Sequence, residues 1–146
     1  MVIDTSALLC ILFGEPEAAA FAHAMATPGS HVVSAFSVLE ATAVVTSRKG
    51  EAAARELDLL LHRTRVDIVP FTPEQLELAR AAWTTFGKGR HPAALNIGDC
   101  CTYALAKYRG EPLLFKGDGF SQTNITPALS SGTSPPNFGR CSSQTA

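Results

Sequence analysis

Four acidic residues stand where the surrounding chain is built for burial. Asp4 is the only charged residue from Met1 to Gly14, and Glu40 is the only formally charged one between Val32 and Ser47. Asp99 is the only charged residue from Pro92 to Ala106, and Asp118 follows the apolar run Leu113-Leu114-Phe115 where the chain turns through Gly-Asp-Gly. Each alone has an ordinary explanation. Asp4 can cap a helix opened by Thr5-Ser6, and Glu40 can lie on a polar stripe with Ser37 and Ser47. Asp99 suits the positive end of a helix, and Asp118 suits a turn.

Together they point to chemistry. In an open parallel α/β sheet, ligands bind outside the carboxyl ends of the strands. Asp4 and Asp118 each end a strand, Asp99 opens a helix, and Glu40 lies early in the helix that leaves the second strand. Carboxylates converging without basic partners raise one another's pKa. A hard divalent cation with oxygen ligands relieves that repulsion. Mg²⁺ fits best, with Mn²⁺ as a substitute, because it takes few carboxylates, keeps waters and recruits phosphate. Such a site suits phosphodiester hydrolysis, in which the ion lowers the pKa of a water for in-line attack. No Ser-His-Asp order is evident. A phosphatase with an aspartyl nucleophile is the weaker enzyme alternative, because Ser6 stands where such enzymes place a second Asp. Lys88, Arg90 and His91 precede the Asp99 helix and Lys116 precedes Asp118. Cations there could hold phosphates flanking a scissile bond, or simply belong to solvated loops.

Strands are expected at Met1–Ile3, His31–Ser34, Val66–Phe71 and Pro112–Phe115, with a short last one near Ile125. Helices are expected from Thr5 or Ser6 to Gly14, and from Pro16 to about Met25. Another runs from a Ser34 cap to Lys49 with Gly50 as its stop, and a further one from Glu51 to His62 with Leu57, Leu59, Leu60 and Leu61 inward. Thr72-Pro73-Glu74-Gln75 reads as a capping box with Pro at the first helical position, opening a helix that ends near Gly87. The last helix spans Ile97 to Tyr108, between an Asn96 cap and Gly110. Strands alternating with helices call for a mostly parallel sheet covered on both faces, an α/β three-layer sandwich.

The length, 146 residues, supports one domain. Hydrophobic residues make up 46% and charged residues 17%, which excludes a disordered solvating chain. A formal net charge of −1 excludes a uniformly basic nucleic-acid coat. The longest apolar runs fall far short of the roughly 20 residues that cross a bilayer. MVIDTSALL, with an acid at position 4 and no basic stretch, does not read as a signal peptide. A soluble cytoplasmic protein is expected, with no membrane partner. The 4 cysteines lack zinc-site spacing and read as reduced, mostly buried thiols. From 130 to 146 the chain is rich in Ser, Thr, Gly and Pro, so a folded domain over 1–129 and a disordered tail over 130–146 are expected.

The opening VIDTSALLCILFGEPE, Glu40 in SAFSVLEA, GKGRHPAALNIGDCCTYALAK with Asp99, and LLFKGDGFSQTNI with Asp118 resemble PIN-domain ribonucleases, nearest to VapC-type toxins of toxin–antitoxin pairs. The resemblance covers about residues 1–129. It implies a parallel five-stranded sheet, a homodimer, Mg²⁺-dependent endoribonuclease activity, and inhibition by a small cognate VapB-type antitoxin. Asp4, Glu40, Asp99 and Asp118 match the acidic quartet, with Asp4 and Asp99 as direct metal ligands. Thr5 or Ser6 matches the hydroxyl that supports the first Asp. The antitoxin would lay an amphipathic segment in an apolar groove and send an Arg or Lys into the acidic pocket. Two positions depart from the pattern: Gly119 and Asn124 stand where relatives often carry acids. They leave a second reading open, a catalytically weakened PIN fold that acts mainly as an antitoxin-binding protein.

Overall fold

Alternation along very short strands decides the architecture. A computed structural model describes residues 1–130. Its strands are β1 (Val2–Ile3), β2 (Val32–Ser34), β3 (Asp67–Val69) and β4 (Leu113–Leu114). They form one parallel sheet in the order β3-β2-β1-β4. Val2 pairs with both Val32 and Leu113, and Ile3 with Leu114. Successive side chains point to opposite faces, so Val2, Val32 and Leu113 enter one core while Ile3, Val33 and Leu114 enter the other.

The helices are α1 (Thr5–Leu12), α2 (Ala18–Ala26), α3 (Ala35–Lys49), α4 (Ala52–Arg63), α5 (Pro73–Phe86) and α6 (Ile97–Arg109). The first core is closed by α5 and α6 through Ala79, Ala82, Ala104 and Leu105. The second is closed by α1, α2 and α4 through Leu8, Phe21, Met25, Leu57 and Leu61. Helices on both faces of a parallel sheet make the expected three layers.

Most helix ends fall where the caps put them. The Ser34 hydroxyl accepts from Phe36 N–H at the start of α3, and Gly50 closes that helix. Thr72 caps α5 with Pro73 in its first turn. Gly110, in the left-handed conformation (φ 63°), closes α6.

Among the described residues the sheet has four strands rather than the five expected. At the proposed fifth, the chain makes a single bridge between Leu113 and Pro127, with Leu113 N–H donating to Thr126 O and Ala128 N–H to Leu113 O. One bridge is too little to make a strand, and Ile125 is buried in the core. Helix α2 begins at Ala18 rather than Pro16. Leu59 is 49% exposed although Leu57 and Leu61 are buried, because positions two apart lie on opposite sides of a helix while those four apart share a face. Cys10, Cys100 and Cys101 are free and buried. Among the described residues no helix is long and apolar enough to cross a membrane. The tail expected over 130–146 lies, apart from Ser130, outside the described residues, as does Cys141.

Candidate active site

The chain leaves β1 directly into α1, so residue 4 must cap a helix at the sheet's carboxyl edge. The buried Asp4 does this: its Oδ2 accepts from Ser6 N–H at 2.9 Å and from Ser6 Oγ at 2.6 Å. Ser6 Oγ in turn accepts from Lys116 N–H at 2.9 Å, just beyond β4. Ser6 therefore ties Asp4 to the neighbouring strand end. Thr5 serves a different acid. Its Oγ1 donates to Glu40 Oε2 at 2.6 Å and to Ser37 O at 3.3 Å. The adjacent hydroxyls divide the work: Ser6 holds Asp4, and Thr5 holds Glu40.

Asp99 sits in a capping box at the start of α6. Its Oδ2 accepts from Asn96 N–H at 2.8 Å, and Asn96 Oδ1 accepts from Asp99 N–H at 2.8 Å. Glu40 lies against the same first turn, beside Gly98. Ser37 and Thr102 share a hydrogen bond of 3.2 Å that fixes α3 on α6.

The charges of Asp4 and Glu40 reach Asp99, although the ligating oxygens of the three do not all lie within 4.8 Å of one another. Burial pushes the Asp99 carboxyl up to about 6, against the lowering pull of its Asn96 hydrogen bond, and the charges of Asp4 and Glu40 raise it further. Burial also lifts the thiol of Cys100 to about 11, aided by Asp99, and raises that of Cys101, aided by Glu40. These thiols stay protonated and unreactive at neutral pH. In each of Asp4, Glu40 and Asp99, one oxygen accepts the bond that orients the group. The other accepts none from the described residues. None of the three is within ion-pair distance of a cationic side chain among the described residues. Oriented, uncompensated carboxylates with a free oxygen fit a hydrated Mg²⁺, which asks for one or two carboxylates and keeps its waters.

The fourth acid, Asp118, lies in the loop after β4. It is exposed, and only its backbone carbonyl is engaged, accepting from Ser121 Oγ at 2.6 Å. The charges acting on Asp99 are Asp4 and Glu40.

Lys116, expected as a phosphate contact, is ion-paired in this structure. Its ammonium is bonded to Glu15 and lies 3.1 Å from Glu17 Oε2, and the two acids hold its pKa above the usual lysine range. Among the described residues, Cys10, Glu15 and Glu17 form the one trio of ligating side chains whose atoms all lie within 4.8 Å of one another. The Lys116 ammonium bridges the two acids of that trio, so we read it as an ion-pair clamp. Lys88 and Arg90 are exposed in the loop before α6. His91 packs edge-on against Phe86, and its Nδ1 accepts from Ala93 N–H at 3.1 Å, which leaves the proton on Nε2.

The two departures have local causes. A Cβ at Gly119 would lie 3.1 Å from Ala93 O, so the loop is tight against a backbone carbonyl there. Asn124 is engaged elsewhere, its Oδ1 accepting from Tyr103 OH at 2.7 Å and its carbonyl from Lys107 at 2.9 Å. Sequence reasoning missed Glu15 and Glu17, and it missed Gly98, whose only signal is a glycine inside a helix.

The family described as PIN domain matches residues 1–125. Ribonuclease VapC30 of Mycobacterium tuberculosis is 51% identical over 125 residues, covering 86% of this chain and 95% of that protein. The chain belongs to the VapC group of PIN domains. A Ribonuclease VapC of Mycolicibacterium smegmatis is 50% identical, covering 86% of this VapC-type chain and 97% of that relative. Solved structures share the fold at lower identity. The crystal structure of M. tuberculosis VapC20, a sarcin-ricin loop cleaving toxin, matches with a TM-score of 0.70 at 18% identity, covering 86% of this chain and 95% of that one. A toxin–antitoxin complex from Klebsiella pneumoniae matches with a TM-score of 0.61 at 17% identity, covering 82% and 89% respectively.

Proposed function

We propose that this VapC-type chain is a Mg²⁺-dependent endoribonuclease toxin, with Mn²⁺ as a substitute ion, acting in the cytoplasm and restrained by a cognate VapB-type antitoxin. The observation that carries the reading is the group Asp4, Glu40 and Asp99, each oriented through one oxygen and without a cationic partner. The bound ion would supply an activated water and neutralise charge on the leaving oxygen. Asp4 and Asp99 would hold it, with Ser6 and Asn96 orienting them and Thr5 orienting Glu40 beside them. Asp118, at the exposed rim, would act on the substrate side. Lys88, Arg90 and His91 would hold phosphates next to the pocket, with His91 offering its Nε2–H. The same uncompensated negative charge would receive an antitoxin Arg or Lys. A cavity of about 420 Å³ lined by Phe36, Leu76, Trp83 and Ile97 offers an apolar face for a second copy in a homodimer.

Cleavage of total RNA tests the reading. Activity should require Mg²⁺, stop with chelator, and be lost in Asp4→Asn and Asp99→Asn. Equal cleavage by Asp99→Asn and the parent would refute the assignment. The exposed Asp118 and the non-acidic Gly119 and Asn124 favour the second reading, a catalytically weakened fold that binds antitoxin without turnover. Metal-dependent cleavage at a rate typical of enzymes (~1 s⁻¹ or more) would exclude it.

A further inference from the structure

We propose that Gly98 is a positioning residue of the acidic site: by lacking a side chain it leaves the space that the Glu40 carboxylate occupies against the first turn of α6. A Cβ built on Gly98 would lie 2.6 Å from Glu40 Oε1, 2.7 Å from Oε2 and 2.9 Å from Cδ. Its three nearest neighbours are thus the three atoms of one carboxylate, at separations that packed atoms do not adopt.

Backbone conformation does not require glycine here. Gly98 is in the first turn of a right-handed helix and outside the left-handed region that favours it. In a helix interior glycine is less stable than alanine. The chain therefore accepts a weaker helix start, and what it gains is room for an acid. The room is needed because Thr5 Oγ1 draws Glu40 Oε2 to 2.6 Å, while Ser37 and Thr102 hold α3 close to α6. With both helices fixed, only the flexible end of Glu40 can yield to an added methyl group. Gly98→Ala should consequently swing the carboxylate away from Asp99 and off the Thr5 hydroxyl without unfolding the domain.

The consequence for metal binding rests on the reading of the three acids given above; the consequence for carboxylate position does not. The test compares the parent, Gly98→Ala, Glu40→Asp and the double variant Gly98→Ala/Glu40→Asp as purified full-length chains. In chelator, Gly98→Ala should melt no lower than the parent, and its metal-free crystal structure should show Glu40 displaced and the Thr5 bond broken. Calorimetric titration with MgCl₂ should show affinity reduced about 10-fold or more, the scale found when the support of a metal ligand is removed. The double variant, whose acid is shorter by about 1.5 Å, should bind Mg²⁺ more tightly than Gly98→Ala alone. An unmoved Glu40 in the Gly98→Ala crystal overturns the proposal, as does unchanged Mg²⁺ affinity in a parent that binds the ion. A parent that binds no Mg²⁺ refutes the metal reading alone, and the crystal structure still decides the role of Gly98.

Discussion

Replacing Asp99 by Asn should make the protein more stable while abolishing its activity, and the size of the effect follows from the site. Burial, with the charges of Asp4 and Glu40, moves the Asp99 carboxyl from its ordinary 3.8 to about 6. At about 1.4 kcal/mol per pH unit, holding it ionised in the fold costs about 3 kcal/mol, trimmed to about 2 kcal/mol for its partial exposure. The sign follows from linkage. An acid whose folded pKa is raised leaves the fold unpenalised below the unfolded value near 3.8, and stability falls as pH rises through about 6. Asn carries no charge, and its Oδ1 can still accept from Asn96 N–H, so the helix cap survives. Thermal unfolding in chelator at pH 8 should therefore show Asp99→Asn melting about 4–8 °C above the parent. The gap should close as pH falls toward 4. Added Mg²⁺ should reverse the order, because the ion stabilises only the form that binds it. A variant that melts below the parent at pH 8, or a gap that does not change with pH, would mean that the Asp99 charge does not destabilise the fold.

Ser6→Ala removes the hydroxyl that bridges Asp4 to the end of β4; unfolding in urea should show a loss of about 1–2 kcal/mol, and titration calorimetry weaker Mg²⁺ binding. Lys116→Met breaks a partly exposed ion pair with Glu15 and Glu17, so its stability change should stay within about 1 kcal/mol. Steady-state kinetics should show that Lys116→Met keeps the KM for RNA while Arg90→Ala raises it. Leu76→Arg on the apolar cavity should convert a dimer to monomer in analytical ultracentrifugation, with the fold intact by circular dichroism.

What could be read from the sequence was local. Ser34, Asn96 and Thr72 cap their helices, and Gly50 and Gly110 end theirs, through bonds that span a few residues. Those caps also set the register of the acids: Asp99 is legible because Asn96 fixes the first turn of α6 around it. The isolation of Asp4, Glu40 and Asp99 in apolar surroundings was legible too, because uncompensated charge in a core-forming segment requires an explanation. The absence of a fifth strand was not, since whether the chain near Ile125 pairs along β4 or makes only the one bridge at Pro127 is decided by tertiary packing. The separate tasks of Thr5 and Ser6 were hidden because adjacent hydroxyls differ only in direction. The pairing of Lys116 with Glu15 was hidden because the two lie 101 positions apart, and nothing local marks it. Asp118 follows its strand as expected, but its exposure depends on how the loop to the Phe120–Gln122 turn folds back, which Gly117 and Gly119 leave open.

Whether Asp4 and Asp99 share a divalent ion can be seen by anomalous diffraction from crystals soaked in MnCl₂. A manganese peak is expected between the free oxygens of these two carboxylates, lost in Asp99→Asn. A peak instead among Cys10, Glu15 and Glu17, or none under conditions that support RNA cleavage, would contradict it.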